Sequence, residues 1–482
     1  MTDQEIIDGV VNEFAGLAKC PRPSHHEHKV SDYIVQRLHE LGVTDVVQDE
    51  VYNVIANVPA TKGYENAPRV ALQGHMDMVC VAKPGVDFDP LTSEIKLIRE
   101  GNILRADGTS LGADDGVAEA MAFFLLQQDV AHGPLRLIFT VDEETGMSGA
   151  INLDPKHLQD VSYVINCDSE YIDILCVSSA GSTHTFFHRN VTWQQPIGTT
   201  ALKIMTKDFI GGHSGETINA GKSNAIKALG NVLLRLVQSG IEFRLAHIEG
   251  GVAANAIPSS AEALIVLNDV DVATVDEVLK KSTDEFQLVY GDIEKTAKFL
   301  TEPAPIPERN FTYEDTKALI YLISQLHCGV FAMNQELPKL PDLSANIGTL
   351  RTEGDVVTLQ YFPRSSSDAR LRELVLTFPA LAELTGCTVD IAKPEPAWTK
   401  NHESKLVPIV AEAYHDVVGH EPRIEAMHGG LETGYFYAKN PKLDIVSVGP
   451  TTHAIHSADE SLELDTVATL VRVLMETLPK LK

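Results

Sequence analysis

The sequence predicts an α/β fold in which one split domain, with a mixed and mostly parallel sheet flanked by helices, carries an inserted α+β domain. Compact apolar runs such as 135–141 and 161–166 alternate with segments of helical spacing, which is typical of strands buried on both faces of a sheet. The same pattern returns near the C-terminus, whereas the middle of the chain follows a different order. We therefore predict one domain from 1–183 with 398–482, and an inserted domain at 184–397.

Each predicted element follows from its apolar spacing. In the split domain we predict helices at 3–19, 26–42, 116–128, 405–417 and 463–480, and strands at 51–58, 69–73, 135–141, 161–166 and 443–449. In the inserted domain we predict helices at 222–239, 274–288 and 368–384, and strands at 201–206, 242–248, 261–267, 346–351, 356–362 and 387–392. The strand–helix pattern at 201–288 repeats at 346–392, which suggests that this domain consists of two similar halves.

The composition is that of an ordinary globular protein. Of 482 residues, 44% are hydrophobic and 22% are charged, and 39 basic against 67 acidic residues give a formal net charge of −28. Such a surface repels nucleic acid and anionic membranes, so we expect neither as a partner. The acidic N-terminus does not resemble a secretory signal, and the six scattered cysteines form no Cys-x-x-Cys pair. We therefore expect a cytoplasmic protein.

The strongest local motif is LQGHMDMV, in which an apolar strand leads into His75 and Asp77. These two residues are two positions apart, so their side chains point to the same side of an extended chain. A neutral imidazole is a common metal ligand, and a carboxylate partner fixes its tautomer. The alternative is a histidine at a strand end that makes only a surface hydrogen bond.

Two acidic motifs add candidate ligands. LGADDGVAEA places Asp114 and Asp115 before a helix, where helix capping is the alternative explanation. In FTVDEETGMSG, an apolar strand leads into Glu143 and Glu144, whose mutual repulsion a cation would remove, although a solvated acidic turn also explains the motif. Neighbouring residues on an extended chain point oppositely, so only one of the two glutamates should reach a metal. The sequence leaves open which one is the general base.

Two further apolar strands lead into Asp168 and His456 in the motifs VINCDSE and GPTTHAIHSADE. We therefore expect five strand-like segments to end in candidate ligands: His75, Asp114, Glu143–Glu144, Asp168 and His456. This nitrogen and oxygen ligand set suits Zn²⁺ and, less strictly, Mn²⁺ or Co²⁺. One bridging carboxylate, with one histidine and one further carboxylate on each cation, would form a two-metal hydrolytic site with an acidic residue left to transfer protons.

Seven motifs resemble, in order, those of the di-zinc metallopeptidases of the aminoacylase and carboxypeptidase-G type: GHMDMV, LGADDG, DEETGM, NCDSE, GGHSG, HGGLETG and HSADE. More narrowly, the chain resembles the bacterial aminoacyl-histidine dipeptidases (Xaa-His dipeptidase, carnosinase-like) over nearly its whole length. The resemblance implies two Zn²⁺ ions per chain, with Mn²⁺ or Co²⁺ as substitutes. It also implies that the split domain is catalytic, that the inserted domain is a lid or dimerisation domain, and that the protein is a homodimer.

The resemblance implies a role for each residue of the split domain. The metal ligands would be His75, Asp114, Glu144, Asp168 and His456. Asp114 would bridge the two cations, with His75 and Asp168 on one and Glu144 and His456 on the other. Asp77 would orient His75, Glu143 would be the general base, and the peptide bond between Asp114 and Asp115 is often cis in such enzymes.

In the inserted domain, the resemblance places His213 at the substrate carbonyl, and Asn255 and Arg364 at the substrate carboxylate. A guanidinium binds a carboxylate bidentately, which suits recognition of a free C-terminus. At Gly430 the backbone would lie close to the substrate. Without the resemblance, a turn histidine and a solvated arginine are the simpler explanations, and the sequence leaves open whether His213 acts in its own or a neighbouring subunit.

The expected activity is that of a metal-dependent dipeptidase acting on Xaa-His and other dipeptides with a free C-terminal carboxylate, by attack of a metal-bridging hydroxide. The histidine preference comes wholly from the resemblance. An N-acyl amino-acid deacylase or a tripeptidase of the same superfamily would keep every metal ligand and is the first alternative. A non-catalytic peptide-binding or assembly protein is the second, which the complete ligand set disfavours.

Overall fold

The computed structural model of the protein describes residues 1–337 and 339–482. The chain forms two compact units, each made of segments that are separated in sequence. The first unit consists of Met1–Ser178, Trp398–Ala426 and Leu431–Lys482, and the second of Ser179–Ala397 and Met427–Gly430. The roles predicted for the two domains, catalysis and a lid or dimerisation function, stay predictions. Among the described residues, no helix has the length and apolar character needed to cross a membrane.

The secondary-structure elements are numbered here in chain order. The α-helices are α1 (Asp3–Leu17), α2 (His28–Glu40), α3 (Ala113–Leu126), α4 (Ser148–Asn152), α5 (Ala225–Gln238), α6 (Val272–Tyr290), α7 (Tyr313–Gln325), α8 (Asp368–Val375), α9 (Phe378–Thr385), α10 (Leu406–Val418), α11 (Thr433–Lys439) and α12 (Leu464–Thr477). The strands are β1 (Asp45–Gln48), β2 (Val54–Val58), β3 (Arg69–His75), β4 (Leu97–Glu100), β5 (Ile103–Ala106), β6 (Leu135–Thr140), β7 (Val161–Asn166), β8 (Ile174–Ser179), β9 (Gly181–Ser182), β10 (Thr185–Asn190), β11 (Trp193–Gln194), β12 (Thr200–Lys207), β13 (Gly212–His213), β14 (Phe243–Gly250), β15 (Ala256–Ile257), β16 (Ala261–Leu267), β17 (Lys298–Ala304), β18 (Asn310–Phe311), β19 (Gly329–Met333), β20 (Pro341–Glu353), β21 (Val356–Ser365), β22 (Thr388–Ile391), β23 (Arg423–Met427), β24 (Asp444–Ser447), β25 (Thr452–His453) and β26 (Ser461–Glu463).

The first unit contains an eight-stranded sheet with the strand order β1-β2-β6-β3-β7-β24-β8-β23. Its four central strands are parallel, because β3 pairs in parallel with both β6 and β7, and β7 pairs in parallel with β24. The pairs β1–β2, β2–β6 and β24–β8 are antiparallel. The predicted mixed α/β sheet is confirmed, with parallel pairing among its four central strands.

Burial on both faces explains the uninterrupted apolar sequences of the central strands. Every residue of β6 is buried, as is all of β3 after its first residue. Helix α3 is buried on nearly all sides, because it packs against β3 and between α1 and α12. Its sequence is accordingly apolar around its whole circumference rather than along one stripe.

Parallel pairing places the carboxyl ends of β3, β6 and β7 at one edge of the sheet. His75 is the last residue of β3, Glu143 follows β6, and Asp168 follows β7. The prediction that every candidate ligand follows a strand is wrong for Asp114, which lies in the first turn of α3. The preceding sequence, DGTSLG, is rich in turn-forming residues and forms a loop instead of a strand.

The second unit is built around a ten-stranded sheet whose main order is β17-β12-β16-β14-β20-β21-β10-β22. It contains two βαββαβ halves, one formed by β12, α5, β14, β16, α6 and β17, and the other by β10, α7, β20, β21, α8–α9 and β22. Within each half, the strands lie side by side in the order fourth, first, third, second. The second strands of the two halves, β14 and β20, pair with each other. The predicted pair of similar halves is therefore present.

Two details of the second unit differ from the sequence prediction. The second half begins at β10 rather than near residue 346. The whole first half is inserted between β10 and the rest of the second half. The helix predicted at 368–384 is two helices, α8 and α9. Pro379 lies in the first turn of α9, where its missing N–H is tolerated, whereas in the middle of one long helix it would break a hydrogen bond.

Candidate metal centre

Asp114 lies between the imidazole rings of two histidines from distant parts of the first unit. Its Oδ1 atom is 3.1 Å from Nε2 of His75, and its Oδ2 atom is 3.2 Å from Nε2 of His456. His75 ends β3, whereas His456 follows β25 in a turn and has a positive φ of 57°. One carboxylate therefore presents one oxygen to each imidazole, as a carboxylate that bridges two cations must do.

A second carboxylate accompanies each histidine. Glu144 Oε2 is 2.8 Å from Nε2 of His456, and Asp168 Oδ1 is 3.7 Å from Nε2 of His75. One ligand atom from each of His75, Asp114 and Glu144 can be chosen so that all three lie within 4.8 Å of one another. The structure thus brings the five sequence-predicted ligands together as two pairs that share Asp114.

Asp77 connects His75 to the backbone of the acidic loop after β6. Its Oδ1 atom is 3.3 Å from Nδ1 of His75, and its two oxygens accept hydrogen bonds from the N–H groups of Glu143 at 3.0 Å and Glu144 at 3.2 Å. The hydroxyl of Ser24 donates to Oδ2 at 2.7 Å. This fully buried carboxylate can therefore hold the His75 ring and position both glutamates at once.

Asp115 supports the backbone of His75, whereas its neighbour Asp114 faces the two imidazoles. The N–H of His75 donates to Asp115 Oδ2 at 3.3 Å, and the peptide bond between Asp114 and Asp115 is cis. A Cβ atom on Gly74 would lie 2.5 Å from that same oxygen, so glycine is needed beside Asp115. Burial raises the pKa of Asp115 well above its usual range, and the carboxylate of Asp168 acts in the same direction.

The Glu143 carboxylate accepts no hydrogen bond from the residues that the structure describes, although its backbone is fixed by Asp77. Burial raises the pKa of the Glu143 carboxyl well above its usual range, and the nearby carboxylates of Asp168 and Glu144 act in the same direction. Because Glu144 is already paired with His456, this geometry favours Glu143 as the residue that transfers protons.

The donor set fits two divalent cations. Burial raises the pKa values of Glu144 and Asp168, and the carboxylate of Asp114 raises both further. Glu144 Oε1 is buried and has no hydrogen-bond partner within the described ranges. Two cations would offset the repulsion among these carboxylates and provide a partner for the orphaned oxygen. Imidazole and carboxylate ligands suit Zn²⁺, with Mn²⁺ or Co²⁺ as alternatives.

Glu432 is a further buried carboxyl beside this centre. Its Oε2 atom accepts hydrogen bonds from Nε2 of Gln73 at 2.7 Å and from the hydroxyl of Thr140 at 2.6 Å. Its Oε1 atom is buried without a partner in the described part of the chain. Burial raises the pKa of Glu432 to about 8.

The raised pKa of Glu432 predicts an unusual pH dependence for the metal-free protein. Glutamate in an unfolded chain has a pKa of ~4.3, so at intermediate pH the folded state binds a proton that the unfolded state has released. That stabilisation is complete below the unfolded pKa and is lost as the pH rises through the folded value. Chelator-treated protein should lose up to ~1.4 kcal/mol per pH unit from this group.

Urea unfolding of chelator-treated protein between about pH 5 and about pH 8 measures this dependence. Glu432→Gln removes the titrating group while keeping an oxygen for Gln73 and Thr140, so its stability should decline less steeply with pH than that of the parent. Equal slopes for the two proteins would contradict the assignment.

His213 and Asn255 lie in two neighbouring loops of the second unit. His213 of β13 pairs with Ala256 of β15, and the N–H of Ser214 donates to the carbonyl oxygen of Asn255 at 2.7 Å. The side chain of Asn346, from β20, donates to the carbonyl oxygen of Ala256 at 2.8 Å. The structure thus brings two of the predicted substrate contacts together.

Arg364 lies in β21 directly opposite Ser344 of β20, and only 6% of it is exposed. Its guanidinium carbon is 4.6 Å from the ring centre of Phe362, and Nε has no partner among the described residues. Nε2 of His428 is 2.7 Å from the Ser344 hydroxyl, which connects the segment carrying Gly430 to the same strand pair. A buried guanidinium with an unpaired N–H is suited to binding an anion.

Sequence reasoning assigns no role to three buried ionisable residues, namely His428, Glu432 and Glu460. All three lie in quoted motifs, and each is at most 5% exposed. The sequence offered one signal: each motif contains an ionisable residue that is not among the predicted ligands. Such residues are almost never fully buried unless they have partners. Their partners lie far away in sequence, so the motifs alone do not identify them.

The sequence and the fold agree with those of known proteins. Residues 71–480 match the family model described as Peptidase family M20/M25/M40. The chain is 30% identical to the cytosol non-specific dipeptidase of Escherichia coli (strain K12) over 97% of this chain and 96% of the relative. It is similar to the crystal structure of aminoacylhistidine dipeptidase from Vibrio alginolyticus, with a TM-score of 0.90, 31% identity, and coverage of 98% of this chain and 96% of that one. These findings confirm the resemblance, and the chain belongs to peptidase family M20/M25/M40.

Proposed function

We propose that this peptidase is a metal-dependent dipeptidase that hydrolyses Xaa-His and other dipeptides with a free C-terminal carboxylate. The observation that carries the proposal is the placement of Asp114 between two histidines, each accompanied by a further carboxylate. The names of the two relatives, a non-specific dipeptidase and an aminoacylhistidine dipeptidase, support the dipeptide class. The preference for a C-terminal histidine rests on the second relative and on the motif resemblance.

Five side chains would hold the cations: His75, Asp114, Glu144, Asp168 and His456. When bound, two divalent cations lower the pKa of a water molecule and polarise the scissile carbonyl group. The protein holds these ligands in position before any cation binds, because Asp77 contacts both the ring of His75 and the backbone N–H of Glu144. Zinc is our proposal for the metal, with manganese or cobalt as substitutes.

Glu143 is the residue to which we assign proton transfer. Its carboxylate takes a proton from the attacking water while the new carbon–oxygen bond forms, and delivers it to the amine nitrogen as the carbon–nitrogen bond breaks. The Asp77 hydrogen bond to the Glu143 N–H holds the backbone from which this carboxylate projects. The raised pKa makes the Glu143 carboxylate a stronger base than that of an ordinary glutamate, which suits a group that must take up a proton.

The second unit carries the groups that we assign to the substrate. Arg364 and Asn255 would bind its C-terminal carboxylate, and His213 would donate to the carbonyl oxygen as negative charge develops on it. Gly430 would allow close approach of the backbone. The buried, unpaired Nε of Arg364 supports the carboxylate assignment most directly.

Replacing Arg364 with Met is expected to raise KM for a dipeptide by about 10- to 100-fold, because a hydrogen bond to a charged group contributes roughly 1.5–3 kcal/mol. Hydrolysis of the matching dipeptide amide, which lacks the carboxylate, should change little. Steady-state kinetics on both substrates measures this. The control is Arg189→Met, because Arg189 pairs with Asp315 in the same unit and should affect stability without changing the ratio. An equal loss on both substrates would refute the carboxylate role.

We also propose a cytoplasmic location and a homodimeric assembly. The Escherichia coli relative is named a cytosol dipeptidase, and the motif resemblance implies a dimer. Sedimentation of the purified protein would test the assembly.

Chelation is expected to abolish dipeptide hydrolysis, and Zn²⁺ or Mn²⁺ should restore it. The same preparation should be assayed on carnosine, on other dipeptides, on a tripeptide and on N-acetyl amino acids. Fastest turnover of dipeptides would support the proposal. Preferred turnover of N-acetyl amino acids or tripeptides would replace it with a deacylase or tripeptidase, and metal-independent turnover would exclude all three.

A further inference from the structure

Glu460 is a buried carboxylate that lies four residues after the candidate ligand His456, and only 3% of it is exposed. No metal-ligating role falls to it, because the structure pairs its side chain with backbone groups. It is therefore an acidic group to which the proposed reaction assigns no role.

Both oxygens of Glu460 are occupied by the loop that leads into Asp114. Oε2 accepts hydrogen bonds from the N–H groups of Leu111 at 2.7 Å and Gly112 at 2.9 Å. Oε1 accepts from the N–H groups of Ala113 at 2.8 Å and of Asp114 itself at 3.3 Å. Four successive backbone N–H groups thus converge on the two oxygens of one side chain.

This contact joins two ligand-bearing segments that are far apart in sequence. One segment carries Asp114, which faces both histidines, and the other carries His456, which faces one oxygen of Asp114. The same loop is also held by Arg22, whose guanidinium donates to the carbonyl oxygen of Gly112. Both contacts fix the backbone that leads to Asp114, and the Glu460 contact joins it to the segment that carries His456.

We propose that Glu460 is a positioning residue that sets Asp114 against His456 and so determines the affinity of the site for its pair of cations. The inference rests on the proposed metal centre, but it does not depend on which peptide is cleaved. Glutamine at this position would accept from only two of the four N–H groups and would point its own amide hydrogens at the other two. The loop would then have to move, and Asp114 would move with it.

The test compares Glu460→Gln with a matched variant elsewhere in the first unit. Asp444 is also buried, and it accepts hydrogen bonds from the N–H groups of Lys405 at 2.7 Å and Leu406 at 3.0 Å. Asp444→Asn should therefore lower thermal stability without changing metal affinity. Zn²⁺ affinity is measured by competition with a chromophoric chelator, and stability by thermal unfolding of the metal-free proteins.

We expect Glu460→Gln to weaken Zn²⁺ binding by about 10- to 100-fold, as loss of a group that orients metal ligands does, while Asp444→Asn binds Zn²⁺ like the parent. Parent-like affinity in Glu460→Gln, or an equal loss in both variants, would overturn the proposal. If Glu460→Gln does not fold, Glu460→Asp provides the test, because it keeps the charge but is one methylene too short, and it should weaken binding too. A parent protein that binds no Zn²⁺ would instead refute the metal centre itself.

Discussion

Replacing Glu143 with Gln is expected to lower kcat for dipeptide hydrolysis by about 10²- to 10⁴-fold, with KM changed by no more than a few-fold. Glutamine has nearly the same shape but can neither accept the proton of the attacking water nor pass one to the leaving amine. The backbone N–H that holds this residue to Asp77 is unchanged, so the ligands of the site should keep their positions. Steady-state kinetics with a dipeptide measure both kcat and KM.

The control for Glu143 is metal content, which should equal that of the parent because Glu144, not Glu143, is paired with His456. Glu432→Gln is a matched variant, since it also replaces a buried carboxyl near the centre with an amide, and it should retain much more activity. Parent-like turnover by Glu143→Gln would remove the general-base assignment. Loss of metal together with activity would show that Glu143 is a ligand instead.

Replacing Asp114 with Asn is expected to weaken metal binding at both positions and to lower kcat/KM by about 10³-fold or more. Residues that merely orient ligands contribute about 10- to 100-fold to metal affinity, and a ligand shared by two cations should contribute more. Each Asp114 oxygen faces a different histidine, so one substitution affects both pairs. Metal titration and dipeptide kinetics on the same preparation measure the two effects.

Thermal unfolding distinguishes the loss of a shared metal ligand from misfolding of the Asp114→Asn variant. Metal that binds only the folded state raises the melting temperature, so the parent should gain stability from Zn²⁺. Asp114→Asn should lose most of that gain, with each protein compared with its own metal-free form, because one substitution removes the carboxylate that faces both histidines. An undiminished zinc-induced shift in the variant would contradict the bridging role.

Residues whose function depends on local spacing could be predicted from the sequence. His75 and Asp77 lie two positions apart at the end of an apolar strand, and the structure places their side chains 3.3 Å apart. Of the neighbouring glutamates, only Glu144 is paired with His456, which agrees with the prediction that one of the two reaches the metal ligands. Parallel pairing of β3, β6 and β7 then places these segments and Asp168 at one sheet edge.

Residues whose function depends on distant contacts could not be predicted in this way. Glu460 contacts a loop some 350 positions earlier, and Glu432 contacts Gln73 and Thr140 across a similar separation. In both cases the motif shows an acidic residue but not the N–H or hydroxyl groups that surround it. The nested arrangement of the second unit escaped prediction for the same reason, since β10 is separated from the rest of its half by the entire first half.

We propose that Asp114 would hold two divalent cations, one together with His75 and Asp168 and the other together with His456 and Glu144. Anomalous diffraction from crystals of the zinc-loaded protein tests this proposal. We predict two anomalous peaks per chain, one beside each histidine, with one oxygen of Asp114 directed at each. A single peak, or zinc bound away from Asp114, would refute the shared role of Asp114.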